Sequence, residues 1–469
     1  MAKKRASSNK AKPAPAPEGI TRITVAGFKS ISDEQSIEIA PLTILAGANS
    51  SGKSSIMQPL LLFKQTLEAN YDPGALRIDG PNVKFTSADQ FLCHIEKGET
   101  ETGFHFGIEV GTNGIIENIT TYFKRYRGKG LDVQQMTYNS EEGTHTLRSG
   151  MPYNQLLSNI PALVKDIQEW QLFRKEPKKL EWFINRNRCF LEVGYKEFAD
   201  PENQDNYAGR YYYSDQPSIF SPSENFEPYI RDVIHLPGLR GNPERTYPVT
   251  AVGSMFPGTF ENYVASVIAH WQTDKSKIES LSKGLEKLGL TWKVAAKSLN
   301  DTQVELQVGR MIHGARGGAR DMVSIADVGF GVSQTLPVLV ALLAAKPHQL
   351  VYLEQPEIHL HPRAQTAMAE VLADAANRGV HVVVETHSSL LLLGVQTLVA
   401  EGKLAPDKVK LHWFKRRAGD GATEITTADL DETGAFGDWP EDFADVTLEA
   451  ESNYLDAAES RAGTKRRAG

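Results

Sequence analysis

The stretch Leu42–Ser55, LTILAGANSSGKSS, decides how this chain is read. Four residues of β character, Leu42 to Leu45, run into Gly47-Ala48-Asn49-Ser50-Ser51-Gly52-Lys53-Ser54, which fits the phosphate-loop pattern GxxxxGK[ST] at every position. Each residue type has a physical reason. Glycines let backbone amides curl around the β- and γ-phosphates, Lys53 brings them a point charge, and Ser54 offers a hydroxyl to Mg²⁺. Behind Ser55 an amphipathic helix (Ile56, Leu60, Leu61, Phe63, Leu67) aims its positive end at the anion. The strand before and the helix after are independent of the motif. Gly47 to Ser55 are therefore read as nucleotide-binding residues.

The 469 residues suggest roughly two to four domains. The longest apolar run, Leu336 to Ala345, is about half of the ~20 residues that span a bilayer. Residues 1–19 are basic and Pro-Ala-rich without the apolar segment of a signal peptide, and read as a disordered arm. Cys93 and Cys189 are too few for a disulfide framework, so a cytoplasmic protein with reduced core thiols is expected. The net charge is −7, with acidic side chains crowded into 420–460 and none of them balanced there by Lys or Arg. Any nucleic-acid contact must then be local.

Alternating apolar residues after Ile20 predict strands beside the loop, so 20–95 is taken as the N-terminal lobe of an ATPase domain. Residues 96–230 are expected to form an inserted region, with short antiparallel strands up to about 150, a mixed-charge helix over 154–185 and Pro-rich loops beyond. Residues 231–418 form the C-terminal lobe, where strand and helix patterns alternate from Asp301 to Trp413 and imply parallel βαβ packing. Residues 419–469 are an acidic, then basic tail, and no heptad run is long enough for a coiled-coil arm.

The second half of the site lies in that lobe. Residues 349–362, QLVYLEQPEIHLHP, are an apolar strand ending in Glu354, a carboxylate placed to hold Mg²⁺ at the edge of the sheet. A second buried strand, HVVVETHS, ends in His387, suited to sensing the γ-phosphate and orienting water. Between loop and carboxylate, DVGFGVSQ is a glycine turn that opens a helix near Ser333, and a helix N-terminus with flanking glycines is an anion site, here for the phosphate of a neighbouring subunit.

With those motifs in place, the chain resembles an ABC/SMC-type AAA ATPase of the OLD-like group, which includes ATPase subunits of bacterial anti-phage systems such as Septu. The resemblance covers 20–95 and 230–450, and rests most on LEQPEIHLHPRAQ and VVVETHSSLLLL, with HLPGLRGNPERTY, DVGFGVSQ and GDWPEDF beside them. It implies an α/β P-loop fold of ABC/SMC type: a mixed sheet, an inserted antiparallel and helical subdomain and a short helical arm. It further implies Walker A at Gly47–Ser54, Walker B at Val351–Glu354, a trans-acting signature turn at Gly331, Ser333 and Gln334, a switch histidine at His387 and a Q-loop glutamine at Gln90, with ATP and Mg²⁺ as cofactors. Ser54, Glu354 and Gln90 would be the metal-side residues.

One departure stands out. Walker B in that group ends Asp-Glu, the second residue serving as general base, whereas this chain has Glu354-Gln355. Glutamine cannot accept the proton, so either Glu357 or Glu385 replaces the base or hydrolysis is slow and ATP mainly locks an assembly; the slow switch is favoured. The functional expectation is an ATPase that self-assembles around ATP and controls a separately encoded nuclease. The alternative is a self-contained OLD-type nuclease, disfavoured because too little chain follows His387 for a Toprim domain. Aromatics interleaved with basic residues at 170–190, and Arg240 and Arg245, leave a DNA or RNA contact open.

Overall fold

The computed structural model describes residues 18–94, 102–126, 128, 130–152, 155–156, 179–198, 221–310 and 321–437. The expected basic arm up to residue 17, most of the mixed-charge helix and the tail from 438 lie outside the described residues.

The chain begins with β1 (Gly19–Ala26), β2 (Gln35–Glu38) and β3 (Leu42–Gly47), then α1 (Lys53–Leu67). Four long strands follow, β4 (Gly103–Thr112), β5 (Ile115–Tyr126), β6 (Gly130–Ser140) and β7 (Gly143–Arg148), and a hairpin of β8 (Lys179–Asn187) and β9 (Phe190–Phe198). Next come α2 (Glu227–Arg231), β10 (Ile234–Leu236), β11 (Tyr247–Pro248), α3 (Val264–Trp271) and α4 (Lys275–Lys287). The rest comprises β12 (Val294–Asn300), β13 (Gln303–Gly309), β14 (Met322–Ser324), α5 (Phe330–Ala344), β15 (Leu350–Glu354) and α6 (Pro362–Asn377), then β16 (His381–Glu385), α7 (Ser389–Ala400), β17 (Val409–Arg416) and β18 (Thr423–Asp429).

The site rests on a mixed sheet ordered β10-β15-β16-β3-β17-β18, parallel from β10 to β17 and closed by antiparallel β18. Its central strands are mostly apolar because helices and loops cover both faces: every residue of β3 and β16 is buried, Thr43, His381 and Glu385 included. β16 sits between β3 and β15, so the strand that ends in Glu385 is the direct neighbour of the phosphate-loop strand, while the one that ends in Glu354 is one strand further out. This is the α/β P-loop fold with a mixed sheet that the motifs predict.

The second six-stranded sheet is antiparallel, ordered β2-β1-β4-β5-β6-β7. Residues expected to form a separate insert therefore continue the N-terminal strands: β1 pairs with β4 from Gly19 opposite Gly111 to Ala26 opposite His105. α1 packs against this sheet through Phe63, whose ring meets Phe106 at 4.6 Å, Phe190 at 5.5 Å and Phe123 at 5.6 Å. A fully buried aromatic of this kind brings both area and edge-on ring contacts.

Three expectations change. Helix over 154–185 gives way, at its described C-terminal end, to β8, which turns back at Arg188 in left-handed backbone (φ 53°) and pairs with β9. Its sequence KLEWFINRN sets Leu180, Trp182 and Ile184 at a strand period, with Phe183 between the last two. The region after Asp301 is not parallel from its start: β12, β13 and β14 form an antiparallel layer with β11, and parallel strands resume only at β15. Finally, α5 begins at Phe330, capped by Gly329, rather than near Ser333. No helix among the described residues is long and apolar enough to cross a membrane.

Candidate functional site

The phosphate loop is built where its glycines are needed. Gly47 has φ 140°, and a Cβ there would stand 2.3 Å from the Phe414 carbonyl oxygen on β17; Gly52, at φ 105°, would meet the Thr423 hydroxyl at 2.4 Å. No other residue type fits either position. The backbone returns directly into α1, whose first residue is Lys53. The Lys53 ammonium is buried and donates to the carbonyls of Gly47 (3.0 Å) and Ala48 (2.8 Å), lying across its own loop. Burial lowers its pKa, with Glu385 and then Glu357 opposing that shift. A phosphate offers the ammonium a charged partner in place of two neutral carbonyls.

The cradle in front of the loop has a volume of about 480 Å³ and is lined by Asn49 to Ser55 together with Lys29, Ser30, Gln58, Gln355, Glu385, His387 and Arg416. Its carboxylate is Glu385. The Ser54 hydroxyl donates to Glu385 with Oγ at 2.8 Å from Oε2 and 3.0 Å from Oε1, and the Tyr352 hydroxyl donates to Oε2 at 3.1 Å. Burial raises the Glu385 pKa above the ordinary carboxylate value; the Ser54 bond works against this and nearby Glu354 adds to it.

Glu354 is placed differently from its motif expectation. It does not line the cradle, and both of its oxygens are engaged: His235 Nε2 lies 3.1 Å from Oε1, and the Gly238 amide donates to Oε2 at 3.0 Å. Burial pushes its pKa up, but the bonds from His235 and Gly238 and the charge of Arg240 outweigh that and hold it low. Arg240 is itself buried and donates from Nη2 to the Glu354 backbone carbonyl at 3.1 Å. Burial drops its pKa to about 10 although Glu261, Glu354 and Glu357 all oppose the shift.

Gln355, in contrast, does reach the cradle. Its backbone is left-handed (φ 44°) and its amide donates to the Glu385 carbonyl at 2.8 Å, which turns the side chain toward the loop. Glu357 lies buried under the next strand end, where Oε1 accepts from the His387 amide at 3.0 Å and from the Thr386 hydroxyl at 2.5 Å. It does not line the cradle, and burial raises its pKa. His387 does line it; burial, then Lys53, keep its imidazole below the usual pKa and so neutral near pH 7.

Two other expected sets lie apart from the loop. Gln90 is in a short 3₁₀ turn, exposed, with its amide oxygen accepting from the Thr86 amide at 2.8 Å, outside the cradle. Gly331, Ser333 and Gln334 form the first turn of α5. There the Ser333 hydroxyl bonds back to the Phe330 carbonyl at 3.2 Å, and the Gln334 amide holds the Gly241 carbonyl at 3.1 Å. They do not line the cradle of their own chain.

Four lining residues carry no motif signal. Lys29, also left-handed (φ 52°), and Ser30 come from the turn after β1, Gln58 from α1, and Arg416 from the end of β17, where it donates to the Ser50 carbonyl at 2.8 Å. The phrase GFKSI before the loop marks the turn but not its destination.

With this geometry in hand, known proteins are informative. Residues 19–185 match the family model described as "AAA ATPase domain", and residues 253–393 match "AAA domain, putative AbiEii toxin, Type IV TA system". No curated protein matches the chain significantly. Similar solved structures include an SMC head bound to the C-winged helix domain of ScpA, at 12% identity over 88% of this chain and 98% of that one (TM-score 0.47). Others are the SMC head domain from Thermotoga maritima, at 12% over 88% and 100% (0.39), and an SMC head with an extended coiled coil bound to the C-terminal domain of ScpA derived from Pyrococcus furiosus, at 10% over 94% and 99% (0.41). One AAA match contains the phosphate loop and the other contains the strand ends of Glu354 and Glu385, so the cradle is assembled from both. The site and the two AAA domain matches together support a P-loop ATPase.

Proposed function

We propose that the chain is an ATP-dependent assembly switch: it binds ATP with Mg²⁺, hydrolyses it slowly, self-associates around it and controls a separately encoded nuclease effector in bacterial anti-phage defence. The observation that carries the ATPase core of this reading is Lys53 lying across its own loop beside a cradle that also holds Glu385, Gln355 and His387. The Ser54 hydroxyl and Glu385 carboxylate supply the hard oxygen donors that suit Mg²⁺. When bound with ATP, Mg²⁺ neutralises charge on the phosphoryl oxygens. Lys53 would bind the phosphates, His387 would orient water as a neutral imidazole, and Gln355 would position that water without taking its proton. Slow turnover follows from that last role.

Self-association is supported by the first turn of α5: Gly331 and Ser333 stand away from the cradle of their own chain, as a turn that serves a neighbouring subunit must. The defence role is supported by the AbiEii-like description of the second domain match and by the resemblance noted above. The lobes are taken as 20–95 and 231–418, the location as cytoplasmic, and a local DNA or RNA contact stays open. Calorimetry tests the core: Lys53→Ala should lose ATP affinity by about 100-fold or more, since a charge-assisted contact contributes about 1.5–3 kcal/mol and the loop loses its counter-charge as well. Unchanged affinity would remove the assignment. Light scattering with a non-hydrolysable ATP analogue tests assembly; a mass unaffected by nucleotide excludes the composite site.

A further inference from the structure

We infer that the protein carboxylate on the Mg²⁺ side of this site is Glu385, at the tip of the middle strand, and that Glu354, where the Walker B motif puts that ligand, is a positioning residue for the turn. The inference rests on the ATPase reading above and specifies its metal side.

Sheet order is the first ground. β16 is hydrogen-bonded to β3, with Glu385 opposite Leu45, two residues before the loop begins at Gly47; Glu354 is opposite Glu385 on the far side. The carboxylate nearest the loop is thus on β16. Second, the hydroxyl that the motif commits to the cation, Ser54 Oγ, is bonded to both oxygens of Glu385 at 2.8 and 3.0 Å. A hard cation that takes the hydroxyl as a ligand arrives beside that carboxylate, and Mg²⁺ uses one or two carboxylates along with phosphate and water oxygens. Third, Glu385 is oriented from outside: the Tyr352 hydroxyl donates to Oε2 at 3.1 Å, the kind of outer bond that aims a ligand.

Glu354 has the opposite surroundings. His235 is clamped in place, its ring stacked on Tyr352 at 5.4 Å and its Nδ1 3.1 Å from the Asn82 side-chain nitrogen. With Asn82 donating, the imidazole proton sits on Nε2 and is given to Glu354 Oε1. The Gly238 amide holds the other oxygen, and Arg240 holds the carbonyl of the same residue. Side chain and backbone of Glu354 are fastened on three sides immediately before the strained Gln355 (φ 44°). The arrangement fixes the turn that presents Gln355 and engages both Glu354 oxygens with partners outside the cradle lining.

The test measures metal rather than turnover. In the full chain, affinity for a non-hydrolysable ATP analogue is compared by calorimetry with and without Mg²⁺, and Mn²⁺ bound in the complex is counted by EPR, for wild type, Glu385→Gln and Glu354→Gln. Glu385→Gln is expected to keep metal-free nucleotide binding and to weaken Mn²⁺ by about 10–100-fold or more, the scale set by loss of even an outer-shell partner. Glu354→Gln is expected to stay within about threefold for Mn²⁺, a difference under 1 kcal/mol. Should Glu385→Gln not fold, Glu385→Asp, shorter by one methylene, should weaken Mn²⁺ where Glu354→Asp does not. Full Mn²⁺ binding by the Glu385 variants, or equal loss in the Glu354 variants, overturns the inference. A wild type that binds nucleotide with no metal gain overturns this inference alone, whereas one that binds no nucleotide in either condition overturns the ATPase reading with it.

Discussion

The parallel strands β10 to β17 and the antiparallel sheet β2 to β7 meet across α1, and the first gathers its strand-end chemistry at one edge while the second adds only Lys29 and Ser30 from the turn after β1. Parallel strands all end on the same side, so the loop after Gly47, Glu354 and Glu385 emerge together. Antiparallel strands end alternately at opposite edges, and their polar side chains spread over a face instead. Burial follows the same division. β16 is buried at every residue, whereas β5 exposes part of one face and buries Ile119, Thr121 and Phe123 on the other. One sheet is a platform for a site; the other is a wall that steadies the helix behind it. That division of labour can be broken at identifiable residues.

The largest effect is expected at the joint. Phe63 is buried on α1 against Phe106, Phe123 and Phe190, so Phe63→Ala should cost about 3–5 kcal/mol of unfolding free energy in a denaturant titration. A cost below about 1 kcal/mol would mean that the wall does not support the helix. Next is the blunt end of the parallel sheet, where β16 starts at His381. Burial, and then His348 beside it, depress the His381 pKa to about 4 from an ordinary 6.5. A histidine depressed in the folded state binds fewer protons there than when unfolded. Its contribution is therefore complete above pH 6.5 and lost as pH falls toward 4, by on the order of 3 kcal/mol. His381→Gln should flatten the stability profile over that window; an equally steep profile would put the acid sensitivity elsewhere.

At the other end of the same sheet, Gln355→Glu should raise steady-state ATP turnover by about 10²-fold, the lower range for a general base. The side chain is isosteric and the left-handed backbone need not change. No gain from that variant, together with a dead Glu357→Gln, would move the base to Glu357 and make the protein an ordinary hydrolase. The smallest effect is expected at Arg245, whose exposed pair with Asp327 (2.7 Å) precedes the α5 turn. Arg245→Ala should leave the unfolding midpoint unchanged within error, as screened surface pairs do. A reproducible drop would show that this edge is part of the packed platform.

Much of the platform was legible because its signals are local. A phosphate loop spans eight consecutive residues whose spacing follows from backbone geometry, and β15 and β16 announce burial on both faces by runs such as LVYL and HVVV. His387, Gln355 and Asn49 to Ser55, all picked out by local motifs, line one cradle. The wall was less legible. The alternation in β4 and β5 predicts antiparallel strands, but nothing within them says that β4 pairs with β1, 85 residues earlier by the spacing of the partners Ile23 and Ile108. β8 up to residue 185 falls in the stretch expected to be helical, because basic and aromatic residues interleave in either period.

The sequence by itself determined the phosphate-loop motif, the P-loop fold class and the glutamine at position 355, since each depends on residue type at short spacing. Only the tertiary structure decided which carboxylate stands beside Ser54, that Lys29 and Arg416 join the cradle, and that Glu354 is bound to His235 from a strand more than a hundred residues away. A motif records which residues end a strand. The order of strands in the sheet sets the distance between those ends, and that order is a product of long-range pairing and burial, for which no short stretch of sequence carries a code.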